Sequence, residues 1–348
     1  MQKTQHTITV KQPLIDKLVF LLPWGPNDAD KLPALIERLN RSKATGQCLN
    51  AFVNGNRYRL TFKIPLSGKN HALVQIGNRS QEMRNYGIRI TLNPSKLTKA
   101  DMKLFHKVMI KIIGSEFEAL IQLPRINSLH VAVDLHGAQL DKMLVNYKHN
   151  QRLTIFGKTL DKDGRIESIY FGSVSSDYRA VAYDKTQEQI MVSVKRLINA
   201  INDGESFESS PAENLVRQIQ GLKDGPPVVR IEVRGVKMRG VRLWQLGSQE
   251  NRFKRFQFAD LQAQGYNLPS SVEPLFLSLC RQSGVKVALA TFSPKWKSRV
   301  KAYWDSRQAG WWQPEPMWLD ACKALKASGI FPVEAFEAPA IVKKVRST

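Results

Sequence analysis

The chain has 348 residues and is strongly basic, since 52 lysines and arginines against 30 aspartates and glutamates give a formal net charge of +22. No stretch approaches the roughly 18 uninterrupted apolar residues of a membrane-spanning helix, and the cysteines are too few and too widely spaced for a disulfide framework or a zinc site. A positive field concentrates polyanions, of which nucleic acid is the commonest partner, and on charge alone anionic membrane surfaces and ribosomes stay open as well. The sequence has no concentrated basic amphipathic face, which disfavours those two.

The N-terminal segment, MQKTQHTITVKQPLIDKLVFLLP, lacks the layout of a secretory signal. Its apolar run is short, is interrupted by Asp16 and Lys17, and precedes no small-residue cleavage site. We therefore expect a protein of the reducing cytoplasm.

The first third of the chain is typical of strands followed by a helix. A first strand at 15–23 and a helix within 25–42 precede three alternating stretches, which predict strands over 58–66, 71–78 and 87–94.

A helix is expected over 97–114, because Thr98 and Asp101 form a capping-box-like start. The apolar positions assigned to it are Leu104, Val108, Ile110 and Ile113.

The stretch INSLHVAVDLHG, residues 126–137, predicts a strand with an unusual polar face. Val131, Val133 and Leu135 alternate as a core face does. Because side chains two apart share a face, the polar residues of the stretch lie together on the other side: His130, Asp134 and His136. A helix is expected next, over 138–149.

The middle of the chain predicts a hairpin over 152–173, with an Asp-Gly turn signal at Asp163 and Gly164. The later elements expected are a strand at 177–185, helices at 186–202 and 214–221, and a strand at 228–236. Beyond residue 240 the pattern changes to helix-like segments separated by Gly and Pro. These elements predict an α+β fold, a helix-backed and mainly antiparallel sheet with a mostly helical C-terminal part.

Two of these later strands also have ionisable side chains on one face and small or apolar side chains on the other. The ionisable rows are Arg179, Tyr183 and Lys185 on one strand, and Arg230, Glu232 and Arg234 on the other. If these two strands and 126–137 are neighbours, their polar rows form one surface. Carboxylates with imidazoles are an O/N ligand set suited to Mg²⁺ or Mn²⁺, which would neutralise a phosphodiester beside a tyrosine nucleophile.

Simpler interpretations of the same residues remain open at this stage. The histidines can be ordinary half-exposed strand residues, and Glu232 between Arg230 and Arg234 can belong to an ion-pair row. A tyrosine in a strand commonly serves packing.

Four segments together resemble the replication initiation factor family, which includes filamentous-phage gene II-type nicking proteins, rolling-circle plasmid initiators and related mobile-element relaxases. The segments are IDKLVFLLP, INSLHVAVDLHG, YFGSVSSDYRAVAYDKTQEQ and VVRIEVRGVKMRG. They are similar to the family's opening strand, its Arg-Ile-Asp-x-Ala-x-Asp segment, its Tyr-x-Gly-Ser to Glu-Gln block and its Val-Arg-x-Glu-x-Arg strand.

The resemblance implies roles for particular residues. The family's nucleophile corresponds to Tyr183, with Lys185 beside it, and its carboxylate metal ligands correspond to Asp134 and Glu232. The metal set expected from this chain is His130, Asp134, Glu232 and His136, with Mg²⁺ or Mn²⁺ as the cofactor. The chain departs from the family at His130, where an Asp is usual, and at Arg179, which precedes Tyr183 by four positions instead of three.

The stretch KWKSRVKAYWDSR, residues 295–307, mixes cations with aromatic residues, as surfaces that bind nucleic-acid backbone and stack bases often do. The residues expected to contact DNA are Arg179, Arg230, Arg234, Lys295, Lys297, Arg299 and Lys301. The alternative is an amphipathic helix whose Trp296, Val300 and Trp304 pack inward.

The function expected is that of a rolling-circle replication initiator of a bacterial host cytoplasm. A nicking domain over 1–240 would cut one strand of supercoiled, double-stranded origin DNA through Tyr183, leave a 3′-hydroxyl primer, and later rejoin the displaced single strand. A helical subdomain over 241–348 would bind DNA or act as an accessory part. Host helicase and polymerase are implied as partners, and oligomerisation is possible. Two alternatives stay open: a conjugative relaxase with the same chemistry, and a non-catalytic nucleic-acid-binding protein.

Overall fold

A computed structural model describes residues 7–24, 30–53, 57–78, 87–148, 153–157, 166–203 and 210–338. The chain forms two compact units. Unit one consists of Met1–Gln12, Ala132–Val233 and Asn251–Glu315, and unit two consists of Pro13–Val131, Arg234–Glu250 and Pro316–Thr348. Within the described ranges, no helix is long and apolar enough to cross a membrane.

The strands are short to medium in length. In chain order they are β1 (Thr9–Val10), β2 (Leu14–Leu22), β3 (Leu49–Asn50), β4 (Tyr58–Pro65), β5 (His71–Asn78), β6 (Ile88–Leu92), β7 (Arg125–His136), β8 (Met143–Tyr147), β9 (Leu153–Gly157), β10 (Ile166–Phe171), β11 (Tyr178–Asp184), β12 (Val228–Gly235), β13 (Val241–Arg242) and β14 (Phe256–Asp260).

The helices are concentrated between the strands and towards the C-terminal end. They are α1 (Leu32–Ala44), α2 (Lys99–Ile113), α3 (Glu116–Leu120), α4 (Lys185–Asn202), α5 (Ser210–Asp224), α6 (Glu273–Ser283), α7 (Val285–Thr291), α8 (Pro294–Ser306) and α9 (Met317–Ala327). Together with the large antiparallel sheet, they confirm the predicted α+β fold.

Unit two contains a sheet in the order β3-β4-β5-β6-β2, followed by the part of β7 that belongs to this unit. Neighbouring strands among its first five pair antiparallel. The four strands expected in the first third of the chain are confirmed as β2, β4, β5 and β6.

Helix α2 begins with the predicted capping box, in which Thr98 and Asp101 exchange hydrogen bonds. Its buried face differs from the predicted one at Leu104, which is 42% exposed. The core positions are instead Met102, Phe105, Val108, Met109, Ile112 and Ile113. Phe105 lies one residue further along the helix than Leu104, and this single step rotates the side chain from solvent into the core.

Unit one contains the remaining part of β7 and then β12, β11, β10 and β9 in that order. Its helices α6, α7 and α8 surround a core cluster that includes Phe276, Tyr303 and Trp304. Strands β9 and β10 pair antiparallel, as the hairpin prediction requires. The Asp163–Gly164 turn signal lies outside the described residues.

The helix predicted over 138–149 is wrong. A short 3-10 turn at Leu140–Lys142 leads directly into β8, which pairs antiparallel with β14 from Tyr147 opposite Phe256 to Met143 opposite Asp260. Pairing with a distant strand overrides the local helical pattern, because an apolar and aromatic run such as Met143–Tyr147 becomes a strand where a partner strand is available. That partner comes from a distant part of the chain.

Each unit takes segments from both sides of residue 240. The boundaries between the units fall inside β7, between Val131 and Ala132, and inside β12, between Val233 and Arg234. The expected division into a nicking domain over 1–240 and a helical subdomain over 241–348 stays a prediction.

Asp101 is a buried carboxylate on which the start of α2 depends. It accepts hydrogen bonds from the backbone N–H and hydroxyl of Thr98, both at 2.8 Å, and from the backbone N–H and hydroxyl of Ser67, both at 2.7 Å. These bonds, led by the Thr98 backbone N–H, hold the pKa of Asp101 well below its usual range. The stabilisation they provide is therefore complete above the pKa of an unfolded Asp and declines as the pH falls below about 4.

Asp101→Asn is expected to lower the free energy of unfolding by about 1–3 kcal/mol at pH 7, because one accepting oxygen becomes an amide donor facing other donors. Urea unfolding monitored by circular dichroism at pH 7 and pH 3 measures the change, and the difference from the unsubstituted chain should shrink at pH 3. Asp203→Asn, at an exposed aspartate, is the matched control and should change little. Equal losses for the two variants would contradict the assignment.

Candidate functional site

The three strands with ionisable rows are neighbours. The sheet order β7-β12-β11 places the Glu232 strand between the strand of Asp134 and the strand of Tyr183. The adjacency on which the predicted surface depended is therefore confirmed. Within each strand, the ionisable residues share a face because every second side chain points to the same side of the sheet.

Asp134 and Arg230 form a bidentate ion pair between β7 and β12. Arg230 Nε donates to Oδ1 at 2.6 Å and Nη2 donates to Oδ2 at 2.8 Å. The side chains are only 8% and 16% exposed for Arg230 and Asp134 respectively, so water screens the pair weakly. The contact shows that the polar rows of β7 and β12 lie on the same face of the sheet.

Glu232 lies two residues from Arg230 on that face and is 1% exposed. A carboxylate so deeply buried must be paired or hydrogen-bonded, because an isolated buried charge is very costly. Arg234, the next residue of the row, lies in the part of β12 that belongs to unit two.

Tyr183 is half-buried near the end of β11, directly opposite Ser168 of β10. The other face of this strand pair buries Ala180, Ala182 and Phe171. The Phe171 ring packs against aromatic rings of β8 and β14. Tyr183 therefore lies on the side of the sheet away from that aromatic cluster.

Lys185 does not continue the strand face that the sequence predicted. Strand β11 ends at Asp184, whose carboxylate accepts a hydrogen bond from the Gln187 backbone N–H at 2.8 Å and caps α4. Lys185 is the first residue of that helix. Its Nζ nevertheless lies 5.8 Å from the centre of the Tyr183 ring and 2.5 Å from Glu188 Oε2, so the two predicted catalytic residues are close together.

The two histidines lie towards different ends of the polar row of β7. His130 belongs to the unit-two part of the strand, and His136 is its last residue, opposite Thr9 of β1. Among the described residues, no group of three or more His, Cys, Asp or Glu side chains is arranged to hold a metal ion. Both oxygens of Asp134 already accept from Arg230. The predicted metal set of His130, Asp134, His136 and Glu232 therefore stays a prediction, and it would require Asp134 to share its carboxylate with Arg230.

Arg179 lies near the start of β11, where its Nη2 donates to the carbonyl of Val174. Its Nε is buried and has no hydrogen-bond partner in the part of the chain that the structure describes. The neighbouring Tyr178 ring is covered by the Arg252 guanidinium at 4.0 Å, a contact that nothing in the local sequence could reveal.

The basic stretch near residue 300 is helix α8, and its large apolar side chains face inward. Val300 is fully buried, and Tyr303 and Trp304 are 0% and 5% exposed. Trp296 is half-buried, with the Arg299 guanidinium 5.1 Å from its ring centre. The inward-packing alternative is therefore confirmed for Val300 and Trp304, and the cations of the helix, Lys295, Lys297, Arg299 and Lys301, are exposed.

A comparison with solved structures finds similarity to one described as the rolling circle replication initiator protein from Geobacillus stearothermophilus. The match is 15% identical, covers 66% of this chain and 76% of that chain, and has a TM-score of 0.32. No family model and no curated protein matches this chain. At this level of similarity the match defines no activity for the present chain.

Replacing one partner of the Asp134–Arg230 pair should lower the free energy of unfolding far more than replacing both. Arg230→Met leaves a carboxylate without its partner and is expected to lower the free energy of unfolding by about 3–5 kcal/mol. The Asp134→Leu/Arg230→Met double variant should recover most of that loss. Urea unfolding of the unsubstituted chain, both single variants and the double variant gives the coupling free energy.

Lys301→Met provides the control, because the Lys301–Asp305 pair has a similar separation of 2.6 Å but side chains that are 63% and 50% exposed. It should change the free energy of unfolding by less than about 1 kcal/mol. If the losses of the two single variants at Asp134 and Arg230 simply add in the double variant, the pair is not the coupled unit described here.

Proposed function

We propose that the chain is a rolling-circle replication initiator that nicks one strand of its origin DNA with Tyr183 as the nucleophile. The observation that carries the proposal is the placement of Tyr183, half-buried at the end of β11 with the Lys185 ammonium 5.8 Å from its ring. The neighbouring strand of the same sheet carries Glu232, and the next carries Asp134. The resemblance of four segments to the replication initiation factor family supports the same assignment.

The proposed reaction exchanges one phosphodiester bond for another. The Tyr183 phenolate oxygen attacks phosphorus and forms a phosphotyrosyl bond to the 5′ side of the break, while the bond from phosphorus to the 3′ oxygen breaks. The leaving oxygen takes a proton and becomes the 3′-hydroxyl that primes synthesis. Attack by a later 3′-hydroxyl on the phosphotyrosyl bond reverses the step and closes the displaced strand.

Lys185 is proposed to favour the phenolate form of Tyr183, because a cation beside the ring stabilises the negative charge on its oxygen. Its position at the start of α4 is fixed by the Asp184 cap, and its Nζ also binds Glu188. Movement of Nζ from Glu188 to the phenolate would deliver a positive charge to the reacting oxygen.

The requirement for Mg²⁺ or Mn²⁺ stays a prediction, and a divalent ion would supply charge neutralisation at the scissile phosphate. Because Asp134 is bound by Arg230, an ion would have to compete with the guanidinium for that carboxylate. An EDTA arm in the nicking assay tests the requirement directly.

Nicking of supercoiled plasmid carrying the DNA that flanks this chain's coding sequence tests the proposal. The unsubstituted chain should convert supercoiled DNA to the open circular form and stay attached to the 5′ end under denaturing conditions. Tyr183→Phe removes only the nucleophilic oxygen, so nicking is expected to fall at least a thousandfold, as it does when a nucleophile is removed from an enzyme.

Tyr170→Phe and Tyr178→Phe are matched controls, since both tyrosines lie within the same pair of strands. Both variants should keep their nicking activity. Nicking that survives Tyr183→Phe but disappears in either control would move the nucleophile to that tyrosine. Binding of the same DNA without any nicking by the unsubstituted chain would rule out the enzymatic proposal.

The exposed cations of α8 are proposed to contact DNA phosphates, because the apolar residues of the helix face the core and leave the basic side chains in solvent. Each phosphate that is neutralised adds about 0.9 to the slope of log affinity against log salt for duplex DNA. Lys295→Gln/Lys297→Gln should therefore weaken binding to any sequence and reduce the slope by about 1.8. Fluorescence anisotropy with a short labelled duplex over a salt series measures both quantities.

Lys195→Gln/Lys223→Gln removes the same charge from exposed positions on α4 and α5 and is the control for that series. An equal reduction of slope in the two double variants would mean that net charge, and not α8, governs the binding.

A non-catalytic nucleic-acid-binding protein is the second candidate, and the Asp134–Arg230 pair favours it. A carboxylate held by arginine at 2.6 and 2.8 Å is the arrangement expected of an ion-pair row in a sheet. In this case DNA binding survives both EDTA and Tyr183→Phe unchanged, and no covalent product forms.

A conjugative relaxase would share the chemistry of the first candidate and differ in the DNA sequence it cuts. Helicase and polymerase partners, and oligomerisation, stay predictions.

A further inference from the structure

Unit two contains a groove of about 600 Å³ that lies between one face of α2 and the end of α9. The α2 side is formed by Lys99, Met102, Lys103, His106, Lys107 and Ile110. These positions are three and four residues apart and therefore lie along one face of the helix. The facing wall is formed by Ala327, Ser328 and Gly329. The volume lies within the range of about 300–1,000 Å³ that is usual for ligand sites.

The groove combines an apolar floor with a basic edge. Met102 is 4% exposed and Ile110 is half-buried, so the floor is aliphatic. Lys99, Lys103 and Lys107 are exposed and follow each other at four-residue spacing, which is about 6 Å of helix per step. The described lining residues include no carboxylate to neutralise these lysines.

His106 belongs to the neutral part of the wall. Its Nε2 lies 3.0 Å from the Ile330 carbonyl, which can only accept, so this nitrogen carries the hydrogen. Burial lowers the pKa of His106, against the opposing effect of its backbone hydrogen bonds. The positive charge of the groove therefore comes from the three lysines.

The occupant that matches this surface is acidic at one side and apolar at the other. An apolar anchor would bury its side chain on the flexible Met102 and on Ile110, as partner segments do in hydrophobic grooves. Carboxylates beside the anchor would pair with the lysine row. The C-terminal end of α9 carries the negative end of its dipole, so the acidic side chains should follow α2 and not α9.

Two other occupants fit less well. Bases of a single strand are usually held by aromatic rings, and the lining residues other than His106 are lysines, aliphatic residues and small residues. A second copy of this chain would bring its own net charge of +22 towards the lysine row.

We propose that this groove binds an acidic peptide segment of a partner protein, in which aspartates or glutamates flank a large apolar side chain. The groove lies in unit two, shares no residue with the Tyr183 site of unit one, and does not depend on the nicking proposal. It would give a DNA-binding protein of high positive charge a way to recruit an acidic protein without using the surface that contacts DNA.

The test uses the full chain and a fluorescein-labelled peptide in which four aspartates precede Leu-Phe, with fluorescence polarisation as the readout. Two matched peptides replace either the aspartates by asparagines or the Leu-Phe by Ala-Ala. Lys103→Glu/Lys107→Glu reverses two exposed charges of the groove, and Ala327→Trp fills the groove without changing charge. Lys195→Glu/Lys223→Glu makes the same charge change on exposed residues of unit one.

The proposal expects saturable binding of the acidic peptide, and binding about tenfold weaker for each matched peptide, for the groove double variant and for Ala327→Trp. The α4 and α5 double variant should bind within about twofold of the unsubstituted chain, and thermal unfolding should show all variants folded. Equal binding of the asparagine peptide, or equal loss in both double variants, overturns the proposal. Labelled oligo-dT is the competing probe. If the groove variants weaken oligo-dT binding and the unsubstituted chain never binds the peptide, the groove binds nucleic acid instead, and the proposal is overturned.

Discussion

Strand β7 sets buried aliphatic residues against polar ones, and the positions of the candidate site residues follow from this alternation. Val131, Val133 and Leu135 are fully buried, which fixes the opposite direction for Asp134. A shift of register by one residue would place the carboxylate in the core, so the register is strongly specified. The bidentate contact with Arg230 then ties β7 to β12 at one defined point.

That contact also limits the chemistry that Asp134 can perform. A carboxylate whose two oxygens both accept from a guanidinium has fewer lone pairs left for a cation, and the positive charge beside it opposes the binding of a second cation. The same pair holds Arg230, which is 7% exposed and therefore poorly placed to reach a DNA backbone without a local change. Tyr183 and Lys185 face no such competition from this pair, which is why the proposed reaction is assigned to them first.

Features that depend on local spacing could be predicted from the sequence. The alternation of β2, β4, β5, β6 and β12, and the Thr98–Asp101 capping box, each involve residues a few positions apart, and each is confirmed. The expected adjacency of the three polar rows is also confirmed. Its basis is the chemistry that the three rows could perform together, and no local pattern predicts it.

Features that depend on distant partners could not be predicted. The run Met143–Tyr147 is a strand because β14 pairs with it, and no local signal separates that outcome from a helix. The ion pair between Asp134 and Arg230 has the same origin, since charge type alone does not say which neighbour a carboxylate binds. At Lys185 the local signal is Asp184, a good helix cap that ends the strand one residue before Lys185.

The most direct test of the proposed nucleophile identifies the residue that carries DNA after cleavage. The covalent complex with a labelled oligonucleotide is digested with trypsin and analysed by mass spectrometry. Cleavage after Arg179 and Lys185 yields residues 180–185, AVAYDK, in which Tyr183 is the sole tyrosine, whereas Tyr170 and Tyr178 fall in the preceding peptide, 166–179. The proposal predicts a nucleotide adduct on AVAYDK. An adduct on 166–179, or a chain that binds the origin and never acquires an adduct, would contradict it.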